Sequence, residues 1–210
     1  MDTLYYSPGS CSLIVHCLLE EMGAPFEARR VDLAAKEHHG EAYRRINPKG
    51  KVPALVTADG TLTECVAIVE HICDRQAGGE FLAHPGTWRR AKTLEQMATL
   101  ATEVHPLFNR FFHADDFSDD TAVQGDVKSH ATKKLVAYFR AQDAALDGRA
   151  YWSGDTLTAA DFYFMTVARW GRWLEPSALR LPNIERVFTR MSERPAVARV
   201  MQREGIKAFG

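Results

Sequence analysis

No stretch of this chain stays apolar for anything near the ~20 residues a membrane-spanning helix needs, so no such helix is expected. The N-terminus lacks a basic region followed by an apolar core, so no secretory signal is expected and a cytoplasmic location is. Charge of one sign is lacking too. The 26 Lys and Arg against 27 Asp and Glu leave a net charge of −1, and no long basic run occurs. Nucleic acid and membrane surfaces are therefore poor candidates as partners. Cysteine is scarce: Cys11, Cys17, Cys65 and Cys73 show no CxxC and no metal-ligand spacing. They are expected to be free thiols in a reducing compartment, with no bound metal. His38, His39, His113 and His130 also lack ligand spacing and are expected to be solvated. Internal repeats and low-complexity tracts are absent.

What remains changes character near residue 80. Before it, short β-like runs alternate with helical ones. TLYY (3–6) is a strand candidate, and CSLIVHCLLEEMG (11–23) is an amphipathic helix. That helix puts Leu13, Ile14, Cys17, Leu18 and Met22 on one face and His16, Glu20 and Glu21 on the other, with Gly23 as its stop. FEARRVDL (26–33) alternates like an outer strand. KVPALVT (51–57) and LTE (62–64), joined through Ala58-Asp59-Gly60, predict a hairpin. CVAIVEHICDR (65–75) predicts a helix with Val66, Val69, Ile72 and Cys73 inward. GGEFLAHPG (78–86) has the composition of a linker. Beyond it the pattern predicts only helices: two long ones over 87–114 and about 119–147, then shorter ones over 158–173, 183–193 and about 195–205.

Within the helical half, LTAADF (157–162) carries Thr158 as N-cap and Asp161 three residues on, the spacing of a capping box. Leu157 and Phe162 stand at the staple positions. The helix that follows is apolar nearly all round and should form a buried centre. Asp161 therefore reads as a folding cap rather than a catalytic acid. Phe108, Phe111, Phe112 and Phe117 form an aromatic cluster suited to an apolar co-substrate pocket, to core or to a dimer interface.

Three stretches of the first half bear on chemistry. In YYSPGSCS (5–12) a Pro-Gly turn leads to Cys11 at a helix N-terminus, where free N–H groups and the helix dipole favour thiolate over thiol. The alternative is a packing cysteine, the role expected for Cys17 and Cys73. NPKGKVPAL (47–55) has Pro53 inside a strand; a cis Val52–Pro53 bond would accommodate it and turn the Val52 backbone toward an added extended peptide. LTECVAI (62–68) puts Glu64 and Cys65 at a helix start, where N–H groups can hold a carboxylate and Glu64 an ammonium. A ligand with an α-amino-acid end, an extended peptide middle and a thiol suits all three stretches. Glutathione is such a ligand.

With TEVH (102–105) and LTAADF in the same order and spacing, these motifs make the chain resemble a cytosolic glutathione transferase over essentially its whole length. The bacterial beta class is the nearest likeness. The resemblance implies a thioredoxin-like glutathione-binding domain over 1–78, a linker over 79–86, and an all-helical domain over 87–210 carrying the electrophile site. It also implies a homodimer using glutathione as co-substrate. Cys11 matches the cysteine that meets the glutathione sulfur, and His105 the histidine brought over it. Tyr6 is the N-terminal tyrosine, while Ser12 supplies a further donor. Val52 and Pro53 match the cis-proline pair. Lys36 falls near the glycyl end, with Lys51 also on the glutathione side. Glu64 and Cys65 match the γ-glutamyl pocket, and Glu103 an acid reaching across the dimer. Conjugation of the glutathione thiolate to hydrophobic electrophiles is the implied activity, a detoxification chemistry. The alternatives are thiol-disulfide exchange through Cys11 and a non-catalytic ligand-binding protein. Three departures stand out: Cys65 where serine is common, Ala98 where asparagine is frequent, and Pro106 where lysine is usual.

Overall fold

In the computed structural model, which describes residues 1–75 and 80–209, the first strand is where the apolar run predicts it. Strand β1 (Asp2–Tyr6) buries Leu4 and Tyr6 on one face, and Tyr5 turns to the other, as the two-residue period of a strand requires. Helix α1 (Ser12–Glu21) leads on to β2 (Phe26–Arg30), which pairs parallel to β1 with Leu4 opposite Ala28. A short helix α2 (Glu41–Arg44) precedes the hairpin. Strand β3 (Ala54–Thr57) runs antiparallel to β1, with Leu4 opposite Leu55, and β4 (Gly60–Thr63) antiparallel to β3. The sheet order is β2-β1-β3-β4, a mixed thioredoxin-like sheet. Thr57 pairs Gly60, so the hairpin loop is Ala58-Asp59. On the Tyr5 side of the sheet, Val31, Tyr43 and Val52 form a small core with Tyr5, Leu33 and Ile46.

Helix α3 (Cys65–Arg75) buries Cys65, Ile68, Val69, Ile72 and Cys73. Its inward face is thus turned slightly from the expected one, with Val66 only half-buried. Helix α4 (Trp88–Thr99) follows. Near its start the almost fully buried Arg90 donates to Asp74 and to Glu70 of α3, at 2.8 and 2.7 Å. The expected boundary at residues 78–79 lies outside the described residues. Phe81 and Leu82 of the expected linker are buried.

The chain forms two compact units, one of residues 1–93 with 192–208, the other of 94–191 with 209. The single helix expected over 87–114 is interrupted. After α4 comes a π-turn over Leu100–Val104, in which the His105 N–H reaches back five residues to the Leu100 carbonyl. Helix α5 (His105–Phe112) then carries Pro106 in its first turn, where its missing N–H is well placed. Helix α6 (Thr121–Ala145) is capped by Asp120, which accepts from the Ala122 N–H at 2.8 Å.

Helix α7 (Ala159–Trp170) is buried at every position, as its sequence requires. Asp161 closes its start: its carboxylate accepts from the Thr158 N–H at 2.7 Å, the Thr158 hydroxyl at 3.1 Å, and the Ser153 N–H and hydroxyl at 2.9 and 2.5 Å. Trp152 stacks on Phe164, and Phe108 packs on Phe139 and Trp170. Phe108 is therefore core, whereas Phe112 and Phe117 are exposed. Gly171 ends α7 where a Cβ would lie 2.6 Å from that of Ala178, a space only glycine leaves. Helix α8 (Pro182–Ser192) turns Ile184, Val187, Phe188 and Met191 inward, and the Asp143 carboxylate accepts its first N–H groups from Asn183 and Ile184.

Helix α9 (Pro195–Glu204) belongs to the first unit and packs along α1. The His16 side chain, on the polar face of α1, is wholly buried because α9 covers that face. His16 Nδ1 is 2.7 Å from Glu204, with both side chains fully buried. Glu20 and Glu21, on the same side, pair with Arg199, Arg203 and Arg194. Among the described residues no helix is long and apolar enough to cross a membrane.

Candidate active site

The loop between β1 and α1 is tied down before it reaches Cys11. Ser12 is fully buried; its hydroxyl accepts from the Ser7 N–H at 3.1 Å and lies 3.1 Å from the Ser7 carbonyl and 2.7 Å from the Ser10 hydroxyl. Its single proton is claimed inside the loop. Gly9 takes φ +68°, a conformation glycine adopts without cost, and its N–H donates to the buried Glu204 carboxylate at 2.7 Å. One carboxylate from α9 thus holds both the turn before Cys11 and the histidine beneath it.

Cys11 occupies the N-cap position of α1 and is partly exposed. Its thiol donates to the Val52 carbonyl at 3.2 Å, while the buried Cys65 thiol lies 3.7 Å from the Cys11 carbonyl, close enough to act on the Cys11 sulfur as a donor. As a thiol, Cys11 donates to Val52; as a thiolate, it accepts from Cys65. That donor is the largest influence on Cys11 and moves its pKa down, with a smaller push from its own backbone N–H and from Lys51 and a pull back from burial and Glu64. The same contact drives Cys65 the other way, well above an ordinary thiol, and burial adds to it. Cys17 and Cys73 are packed away from water, and burial raises both, Cys73 to about 12.

The peptide bond between Val52 and Pro53 is cis. The Lys51 carbonyl just before it accepts from the Tyr43 hydroxyl at 2.7 Å and the Asn47 side-chain amide at 2.6 Å. Asn47 also accepts from the Lys49 N–H at 3.1 Å, closing an Asx turn. Gly50 completes that turn at φ +61°, where a Cβ would meet the His38 carbonyl at 3.0 Å. Glu64, at the N-cap of α3, takes φ +73°, a left-handed conformation rare for a non-glycine residue and common where function fixes the backbone. Its exposed carboxylate is 2.7 Å from Lys49 Nζ. Lys36 is exposed and also left-handed, at φ +56°.

Tyr6 packs its ring on His16, centroids 4.7 Å apart, and burial with the nearby Glu204 charge raises its hydroxyl, so it remains a phenol at neutral pH. In the second unit His105 Nδ1 lies 3.1 Å from the Tyr163 hydroxyl, and its ring meets Trp170 edge-on at 4.9 Å. Glu103 is exposed on the π-turn.

The first unit thus gathers Cys11, Ser12, Val52, Pro53 and Cys65, with the charges of Lys51 and Glu64 felt at Cys11. Glu204, His16, Tyr43, Asn47 and Lys49 escaped the sequence reading. For Asn47 a signal existed, an asparagine opening a Pro- and Gly-containing turn. For Glu204 none did.

Comparison with known proteins follows this division. Residues 2–74 match the family model of the glutathione S-transferase N-terminal domain, and residues 97–195 that of the C-terminal domain. Glutathione S-transferase GstA of Escherichia coli O157:H7 is 36% identical over 206 residues, 97% of this chain and 99% of the relative. The chain belongs to the glutathione S-transferase family. Another relative, glutathione S-transferase GST-4.5 of Xanthomonas campestris, is 34% identical, covering 97% of this chain and 98% of that one. Among solved structures, a sphingomonad glutathione S-transferase complexed with glutathione superposes with a TM-score of 0.85 at 32% identity over 98% of this chain and 100% of that one. The bacterial beta-class enzyme of Sphingomonas chungbukensis gives 0.85 at 31% identity, with the same coverage. The fold of this transferase is theirs: a mixed four-stranded sheet unit and a helical unit.

Proposed function

We propose that this transferase binds glutathione at the first unit, extended along Val52 and Pro53, and uses its thiolate to attack hydrophobic electrophiles. The observation that carries this is the Cys11 thiol at the N-terminus of α1, held between the Val52 carbonyl and Cys65 in a chain whose near-full-length relatives are glutathione S-transferases. The N–H groups at the start of α3 suit the γ-glutamyl carboxylate and Glu64 the ammonium, displacing Lys49 from its present pairing. Lys36 and Lys51 supply positive charge for the glycyl carboxylate. Cys11, with the α1 N-terminus, favours an ionised sulfur beside it, which is the nucleophile the reaction needs. His105 is assigned a donor role toward that sulfur, Tyr6 a neutral phenol's role, and Ser12 that of fixing the loop. Glu103 is assigned to a partner subunit's glutathione in a homodimer, and the location to the cytoplasm.

Retention on immobilised glutathione, together with turnover of an aromatic halide, tests this reading. Wild type should be retained and active, and His105→Ala should be retained but lose roughly tenfold in kcat/KM. Wild-type protein that flows through and turns nothing over would refute the reading.

A further inference from the structure

Cys65, the residue after Glu64, brings a second thiol close to the first. Cys11 is partly open to solvent, Cys65 is buried beside it, and the Cys65 sulfur lies 3.7 Å from the Cys11 carbonyl oxygen. The residues are 54 apart in sequence and come from the starts of two different helices, α1 and α3. The conjugation proposed above makes no bond to the second sulfur.

We propose that Cys11 and Cys65 form a dithiol–disulfide couple, in which Cys65 resolves a mixed disulfide between Cys11 and glutathione and so gives the protein a disulfide reductase activity. This rests on the reading that glutathione reaches Cys11. The substrate class is a glutathione mixed disulfide, R–S–S–G, including glutathione disulfide itself. Cys11 thiolate attacks the glutathionyl sulfur; the Cys11–glutathione S–S bond forms, the S–S bond between the R–S and glutathionyl sulfurs breaks, and RS⁻ leaves and takes a proton from solvent. Cys65 then loses its proton and attacks the Cys11 sulfur, expelling glutathione thiolate, which takes up that proton. The protein's two thiols are oxidised to one disulfide, and the substrate is reduced to R–SH and glutathione. Two further glutathione molecules return the pair to thiols and leave as glutathione disulfide.

The division of labour suits exchange chemistry. The attacking sulfur is the accessible one and the one more readily ionised, while the resolving sulfur stays protonated until the first bond exists. Once Cys11 carries glutathione it no longer accepts the Cys65 proton, so the restraint on Cys65 ionisation is relieved when its attack is needed. Closure requires the two sulfurs to approach to about 2.05 Å. The disulfide would hold the first residue of α3, where the γ-glutamyl end is proposed to bind. Oxidation is therefore expected also to weaken retention on glutathione, which recovers on reduction.

The test is anaerobic incubation of the full chain with glutathione disulfide, rapid alkylation of remaining thiols, and intact-mass and peptide mapping. Wild type should lose both thiols, retain no glutathionyl group, and yield a cross-linked pair of peptides containing Cys11 and Cys65. Cys65→Ser should keep one glutathionyl group on Cys11. If wild type also keeps that group, the resolving role of Cys65 is overturned while the glutathione site stands. If neither protein accepts a glutathionyl group at Cys11, the reading of the site fails with it. The cross-linked peptides of the wild type decide the matter even where the variant folds poorly.

Discussion

Replacing Glu204 by alanine removes one carboxylate from two buried donors at once: the His16 ring nitrogen and the Gly9 N–H, each 2.7 Å away. Both side chains of the His16–Glu204 pair are closed to solvent, so water cannot take over. Breaking a buried pair by removing one partner typically costs about 3–5 kcal/mol. Against a domain stability of about 5–15 kcal/mol that is a large share. For a chain of this size it corresponds to a fall in Tm of about 10 °C. Glu204→Gln keeps the shape and one acceptor, so it should fall between, at about 1–3 kcal/mol. Urea unfolding followed by circular dichroism measures the ranking. Hydrogen exchange over residues 7–13 locates it, since the Gly9 amide loses its acceptor. A Glu204→Ala protein within about 0.5 kcal/mol of wild type, with unchanged exchange in that loop, would refute the claim that α9 fastens the turn before Cys11.

Two further outcomes can be checked with simple variants. Asp161→Ala strips four accepted hydrogen bonds from a buried N-terminus and should destabilise the helical unit by about 2–4 kcal/mol, read as an earlier thermal transition; Asp161→Asn should recover part of the loss. Cys65→Ala removes the hydrogen that steadies the Cys11 thiolate, so the pH profile of Cys11 alkylation should move to higher pH and the rate at neutral pH should drop. A profile that stays put or moves lower would show that another donor controls Cys11.

Features set by near neighbours in the chain were readable before any coordinates. The strand, the Pro-Gly turn and the helix around Cys11 follow from the period of apolar residues and from punctuation. The hairpin, the cis bond at Pro53 and the Asp161 cap follow from residue types at fixed offsets. The burial of His16 was out of reach for a definite reason. An amphipathic pattern shows which face of a helix is most apolar, not whether its polar face is covered by a helix nearly two hundred residues on. The π-turn before His105 left no composition signal; only Pro106 hinted at a disturbance, and it sits in the first turn of α5 rather than bending a continuous helix. The approach of Cys65 to Cys11 was equally hidden, because each cysteine was judged on its own helix and their meeting depends on how the fold brings the starts of α1 and α3 together.

The position of α9 carries a consequence for biosynthesis. A ribosome exposes residues 1–93 well before it has made residues 195–204, so the nascent sheet must wait with His16 uncovered and the Glu204 contact to Gly9 unmade. The earliest residues to emerge then become native only once α9 has followed them out, and the Cys11 sulfur acquires its settled surroundings no sooner.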